Sequence, residues 1–251
     1  MLTLAAGAAA LLTLTVTLAA CGGSSKPSAT PPAAKPAAIT TTPATTTVAN
    51  PAADEATAQS LGFVQADLPA GWVGTPSQND AEDADVNKKV ADCTGASDPS
   101  KQTADVNSDD FDKGNAEVSS EVTFVASRAD FEQDVAAVKN SDKYVACVKT
   151  IFEAELKADF AKNSPGVEVG PLTVTRVTTP TYGEVSFGFA FSTTITGTTG
   201  IALRYYIDEI GYGKGRAEVM LTFTNQSAPF DPALEKSLVE KAAAKLKTSA
   251  A

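Results

Sequence analysis

Residues 22–53, GGSSKPSATPPAAKPAAITTTPATTTVANPAA, are built almost wholly from Gly, Ser, Pro, Ala and Thr. Such a stretch offers too little apolar surface to offset the entropy of ordering it, and its prolines favour extended polyproline II. It therefore divides the chain into an apolar leader over 1–20, a spacer that opens at Cys21 and runs to 53, and one folded domain over 54–251. A domain of that length can bury a sizeable single core, so it is expected to fold without a cofactor. Fully extended, the spacer would reach roughly 100 Å.

Charge and residue choice exclude several functions. The net charge is −10, and residues 1–53 contribute only Lys26 and Lys35, so the acidity lies in the domain. Nucleic acid is not an expected partner, because phosphate binding needs a concentrated basic surface and here Lys and Arg are scattered among more numerous acids. The chain contains no histidine. Ser-His-Asp and Cys-His catalysis, His-ligated zinc and the commonest neutral-pH general base are all absent from it. No Gly-x-Ser-x-Gly, Walker loop, dinucleotide fingerprint or Ser-x-x-Lys occurs in the domain. A non-enzymatic protein is expected, with no cofactor and no metal.

The leader, LTLAAGAAALLTLTVTLAA, is uncharged and ends in Leu18-Ala19-Ala20-Cys21. That ending resembles a bacterial lipobox, which implies that the Cys21 thiol carries a diacylglyceryl group and that cleavage just before it makes Cys21 the mature N-terminus. A transmembrane helix is the alternative for such a run. Against it stand the small-small-Cys ending, the Gly-Gly-Ser-Ser that follows, and the lack of a downstream basic cluster. No Lys or Arg precedes the run, so a short basic segment is expected upstream of Met1. The expected location is the outer face of the cell membrane, held by the Cys21 lipid.

With Cys21 acylated, Cys93 and Cys147 remain, an even pair in a compartment that permits disulfides. A bridge between them closes a loop of about 55 residues and would contribute up to about 4 kcal/mol in the chain-entropy model. Without a Cys-x-x-Cys spacing, it is expected to brace the fold and not to act as a redox dithiol.

Periodicity predicts an α+β fold: one domain with an antiparallel sheet of about five strands and helices packed on it. Gly62–Trp72 reads as a short opening strand, 80–92 as a weakly amphipathic helix, 94–116 as a long polar loop, and Glu117–Val125 as a strand. Ser127 caps a helix carrying Phe131, Val135 and Val138. After the Asn140-Ser141 break a second helix carries Tyr144, Val148, Ile151, Phe152, Leu156 and Phe160 on one side. Strands follow over 167–177, 184–194, 201–207 and 217–223, with hairpin connections at Gly197–Gly200 and Gly211–Gly215. Asp231-Pro232 starts a last helix with Leu234, Leu238, Val239, Ala242 and Leu246 inward.

Two constellations stand out. Phe187, Phe189 and Phe191 alternate along one strand, as a core face or as the lining of an apolar cavity that would hold a lipid. Asp105, Asn107, Asp109 and Asp110 begin like a calcium loop, but the sixth position is Asp110 and the twelfth Ala116, so the EF-hand pattern fails and a solvated acidic loop is expected.

The Leu-Ala-Ala-Cys box, the Thr/Pro/Ala spacer, Leu68-Pro69-Ala70-Gly71-Trp72 and the two later cysteines together resemble cell-envelope lipoproteins of actinobacteria. The order of elements is also similar to the PsbP-like fold, whose members open with a comparable Pro-x-Gly-Trp strand. Neither resemblance supplies an activity. The expected function is a membrane-anchored binding or accessory module for an envelope protein, glycan or lipid. The alternative is a carrier holding a hydrophobe between the Phe ladder and the helices.

Overall fold

A computed structural model describes residues 49–77 and 81–249. The leader, Cys21 and nearly all of the spacer lie outside them. The first element is a helix absent from the sequence reading, α1 (Pro51–Leu61), whose N-cap Asn50 accepts from the Ala53 N–H and whose first turn holds Pro51. The last residues read as spacer are thus the start of the domain. After α1, Gly62–Trp72 forms a 3-10 turn at Gln65–Asp67 in place of a strand, and the strand β1 (Val73–Thr75) follows it.

The chain continues through α2 (Ala81–Thr94), β2 (Ala104–Asn107), β3 (Asp110–Lys113), β4 (Ala116–Phe124), α3 (Arg128–Lys139) and α4 (Ser141–Asn163). It ends with β5 (Glu168–Val169), β6 (Thr173–Val177), β7 (Val185–Thr196), β8 (Ala202–Lys214), β9 (Ala217–Gln226) and α5 (Pro232–Thr248). The α+β class is as expected, but the sheet has nine strands, so the reading of about five is corrected. The shortfall has a physical origin. The segment 94–116 looked like a loop because its strands β2 and β3 are four residues each, too short to show a period of two, and they gain their order by pairing with β4.

The sheet runs β1-β3-β4-β9-β8-β7-β5, with β2 also on β4 and β6 also on β7, and every pairing is antiparallel. β8 extends past the expected hairpin to Lys214, and the turn is the two residues Gly215-Arg216. Gly215 takes it at φ 67°, a conformation open to glycine. Gly211 is a strand position instead: a Cβ there would lie 2.1 Å from Cζ of Phe187, so the ring occupies the space that a side chain would need.

Helices cover both faces. Against the first, α1 and α5 bury Ala58, Leu61, Leu238, Val239 and Leu246 with Val118, Val122, Leu221 and Phe223 of the sheet. Against the second, α2, α3 and α4 bury Val90, Val138, Tyr144, Val148, Phe152 and Phe160 with Phe187, Phe189, Phe191 and Met220. Among the described residues no helix is long and apolar enough to cross a membrane.

Candidate functional site

Two of the residues singled out in the sequence come together as expected. Cys93 of α2 and Cys147 of α4 are bonded, with Cα atoms 5.9 Å apart, and the bridge pins the two helices side by side. Cys147 is buried while Cys93 is exposed, beside an open groove of about 670 Å³ between the helices.

Phe187, Phe189 and Phe191 are core residues of the second face. Phe189 is stacked on Tyr144 at 4.7 Å between centroids, and Phe152 meets Phe191 edge-on at 6.3 Å. The rings are in contact with the side chains of α4 across the layer. The candidate calcium loop is not a loop. Asp105 and Asn107 belong to β2, Asp110 and Asp112 to β3, and among the described residues no group of three or more His, Cys, Asp or Glu side chains is placed to hold a metal ion.

What the acidic segment does instead follows from strand register. Phe111 pairs with Val118 on the first face, so Asp110 and Asp112 point to the second, where Asp112 pairs with Glu117. Successive side chains alternate between faces. The second face therefore carries Glu117, Ser119, Glu121 and Thr123 from β4, Thr222 and Glu218 from β9, and Glu209 from β8. This face has two halves. Under α4, over β7 and β8, it is mainly aromatic; over β3, β4 and β9 it is mainly carboxyls and hydroxyls, with Met220 among them.

These carboxyls are held away from their ordinary ionisation. Burial pushes Glu117 up to about 7, with the charges of Asp110 and Asp112 adding to it. Burial likewise raises Asp110 to about 6, aided by Asp112 and Asp109. Glu209 is 2 % exposed, and desolvation alone pushes it up to about 8. Its Oε2 has no hydrogen-bond partner among the described residues, and neither has the Tyr144 hydroxyl beneath α4. Among the described residues no Lys or Arg pairs with Asp110, Asp112, Glu117 or Glu209.

Deeper toward α3, Asp134 and Glu218 show another arrangement. Asp134 accepts the Ser97 N–H at 3.0 Å and the Ser97 hydroxyl at 2.9 Å, and is hydrogen-bonded to Glu218. Burial raises both, Asp134 to about 8, and the neighbouring Asp134 carboxyl adds to the rise of Glu218. Two carboxyls so close and so dry retain a proton between them at neutral pH.

Sequence reasoning missed Glu117, Glu209, Asp134, Glu218 and the Tyr144 hydroxyl as site residues. The available signal was β4 itself, whose polar alternation Glu117-Ser119-Glu121-Thr123 marks one continuous face.

No family model matches the chain, and no curated protein matches it. Among solved structures the extracellular domain of PknH from Mycobacterium tuberculosis is similar over 78 % of this chain and 97 % of that domain, at 13 % identity and a TM-score of 0.36. At that distance the likeness carries neither activity nor ligand across.

Proposed function

We propose that the chain is a lipid-tethered, non-enzymatic binding module of the cell envelope, anchored at Cys21, extended on its spacer, and receiving its partner on the carboxyl-bearing half of the second sheet face. The observation that carries this reading is the grouping of Asp110, Asp112 and Glu117 with no cationic partner among the described residues. Neighbouring carboxyls repel and are raised at a cost to folding, and groups kept in that condition mark functional surfaces. The absence of histidine argues for binding and against acid–base catalysis. The Cys93–Cys147 bridge fits an oxidising compartment outside the cytoplasm.

Two experiments test it. Labelled fatty acid fed to the native host should enter the wild-type chain and not a Cys21→Ala variant; a wild-type chain without label overturns the anchor. A photo-crosslinking residue at the exposed Asp112 should capture an envelope component in intact cells, whereas one at Lys236, on α5 against the opposite face, should not. Equal capture from both positions, or none from Asp112, overturns the assignment of the face.

A further inference from the structure

The acidic half of the second face runs inward as a row. Pairing sets Ser119 of β4 opposite Thr222 of β9, Thr222 opposite Glu209 of β8, and Glu209 opposite Phe189 of β7. Asp110, Asp112 and Glu117 stand at its outer end. Exposure falls along it: Asp112 is exposed, Asp110 and Glu117 are half-buried, and Ser119, Thr222 and Glu209 are 4 %, 5 % and 2 % exposed. At the inner end Glu209 Oε2 and the Tyr144 hydroxyl both lack partners among the described residues. Glu209 pairs with Phe189 in register, and the Tyr144 ring is stacked on that same Phe189 at 4.7 Å, so both groups border Phe189 on the second face. Each such orphan costs about 1–3 kcal/mol, and two of them bordering one ring call for an occupant.

The chemistry of the row selects the occupant. A calcium-type ion needs about six to eight oxygens, and among the described residues no converging set of acidic side chains offers them. Both cations bring more donors than the two orphan acceptors, but an ammonium with three leaves one over where a guanidinium with five leaves three, so the smaller excess favours the ammonium. An aliphatic stem suits the Phe189 and Met220 side chains that border the inner end.

We propose that this row is the track for an aliphatic ammonium ligand, its head group held by Glu209 Oε2 and the Tyr144 hydroxyl and its stem directed outward past Thr222 and Ser119 toward Glu117 and Asp110. The assignment rests on the reading of this face as the partner-binding face and names the ligand class it takes. The ammonium comes from a free polyamine or from a lysine side chain of an envelope protein. β8 and β3 are three strand gaps apart, roughly 14 Å, so a single lysine stem reaches only one end of the row while a polyamine reaches both.

The test uses the detergent-solubilised native chain titrated with spermidine, with Nα-acetyl-lysine amide and with Nα-acetyl-arginine amide. Both amines should bind, and the arginine derivative more weakly. Glu209→Gln, which preserves shape and removes the charge, should lower affinity for both amines about tenfold or more, the loss of one charge-assisted hydrogen bond. Asp110→Asn should weaken spermidine alone. Thermal unfolding of Glu209→Gln at least as high as wild type excludes misfolding as the cause. Unchanged affinity in Glu209→Gln overturns the head-group site and leaves a diffuse counter-ion surface; arginine amide binding as tightly as lysine amide overturns the ammonium assignment. If neither amine binds at millimolar concentration while the Asp112 crosslink still captures its component, the ligand class is wrong and the face stands; if both fail, both readings fall.

Discussion

The protein buries carboxyls in two regions and treats them in opposite ways. On the α1 side, Asp54 is clamped by Arg216, with Nη2 donating to Oδ1 at 2.7 Å and Nη1 to Oδ2 at 3.0 Å, while the Thr103 hydroxyl donates to Oδ2 at 2.6 Å. Arg216 also donates to the Val125 carbonyl, and the ion pair is less than a tenth exposed on either side. Burial works to raise Asp54, but the bonds from Arg216 and Thr103 outweigh it and hold the carboxyl below its ordinary value. On the α4 side, Glu209 is equally buried, receives nothing at Oε2, and is raised to about 8. Burial is common to both regions, so the partner decides whether the charge survives. The first arrangement is a closed structural clamp that ties the domain's first helix to the β8–β9 turn; the second is left open.

The largest effect should come from breaking the clamp. Arg216→Ala leaves Asp54 charged and dry, and should cost about 3–5 kcal/mol in urea unfolding. A loss below about 1 kcal/mol would mean that solvent reaches Asp54 freely and that the contrast between the regions is false. Next in size is the bridge. Replacing Cys93 and Cys147 together by Ser should cost about 2–4 kcal/mol, because it frees a loop spanning a sequence separation of 54. Since Cys93 is exposed, a dithiol reductant should produce the same shift in the wild type without prior unfolding.

The open region gives a smaller effect of opposite sign. A carboxyl whose folded value is raised to about 8 contributes stability that is present below its unfolded value and lost as pH rises through about 8. Glu209→Gln should therefore match the wild type near pH 5, where the carboxyl is neutral, and exceed it by about 1–3 kcal/mol near pH 8. Glu117, Asp110 and Asp134 remain in both proteins, so the difference between the two pH profiles isolates Glu209. Parallel profiles would show that Glu209 is already ionised and partnered at neutral pH.

The two regions were unequally legible in the sequence. Helical spacing exposed the stripe of α4: Tyr144, Val148, Phe152, Leu156 and Phe160 are buried as it implied, while Ile151 is only half-buried. Asp231-Pro232 marked the start of α5 with similar clarity. α1 was hidden because its Ala-rich opening, Pro51-Ala52-Ala53, continues the composition of the spacer, and only Asn50-Pro51 signals its start. The clamp was invisible because Asp54 and Arg216 are far apart in the chain and meet only through the fold. In β4 the alternation Glu117-Ser119-Glu121 reads as a solvent face, whereas helices cover both faces of the sheet, so polar side chains there are drawn inward. Glu209 sits in Ile207-Asp208-Glu209-Ile210, which shows no alternation that would tell inside from outside.

The smallest effect serves as the control that sharpens the comparison. Both helical layers contain a capped helix whose cap lies outside the buried carboxyl regions. On the first face, Asp231 Oδ1 accepts from the Ala233 N–H at 2.8 Å and the Leu234 N–H at 3.2 Å to start α5. On the second, Ser127 Oγ accepts from the Asp130 N–H at 3.1 Å to start α3. Each satisfies backbone donors that the helix leaves orphaned, and neither depends on buried charge. Asp231→Ala and Ser127→Ala should each cost about 1 kcal/mol. If the two layers are equally well built, the losses should agree within about 0.5 kcal/mol, and the contrast between Arg216→Ala and Glu209→Gln then reflects the partner and not the layer. A cap loss on the α3 side several times that on the α5 side would instead show that the second layer is coupled as a whole to its buried acids. The Asp134–Ser97 bonds to the α2 exit loop would be the first place to look for that coupling, with Asp134→Asn as the variant that should abolish it.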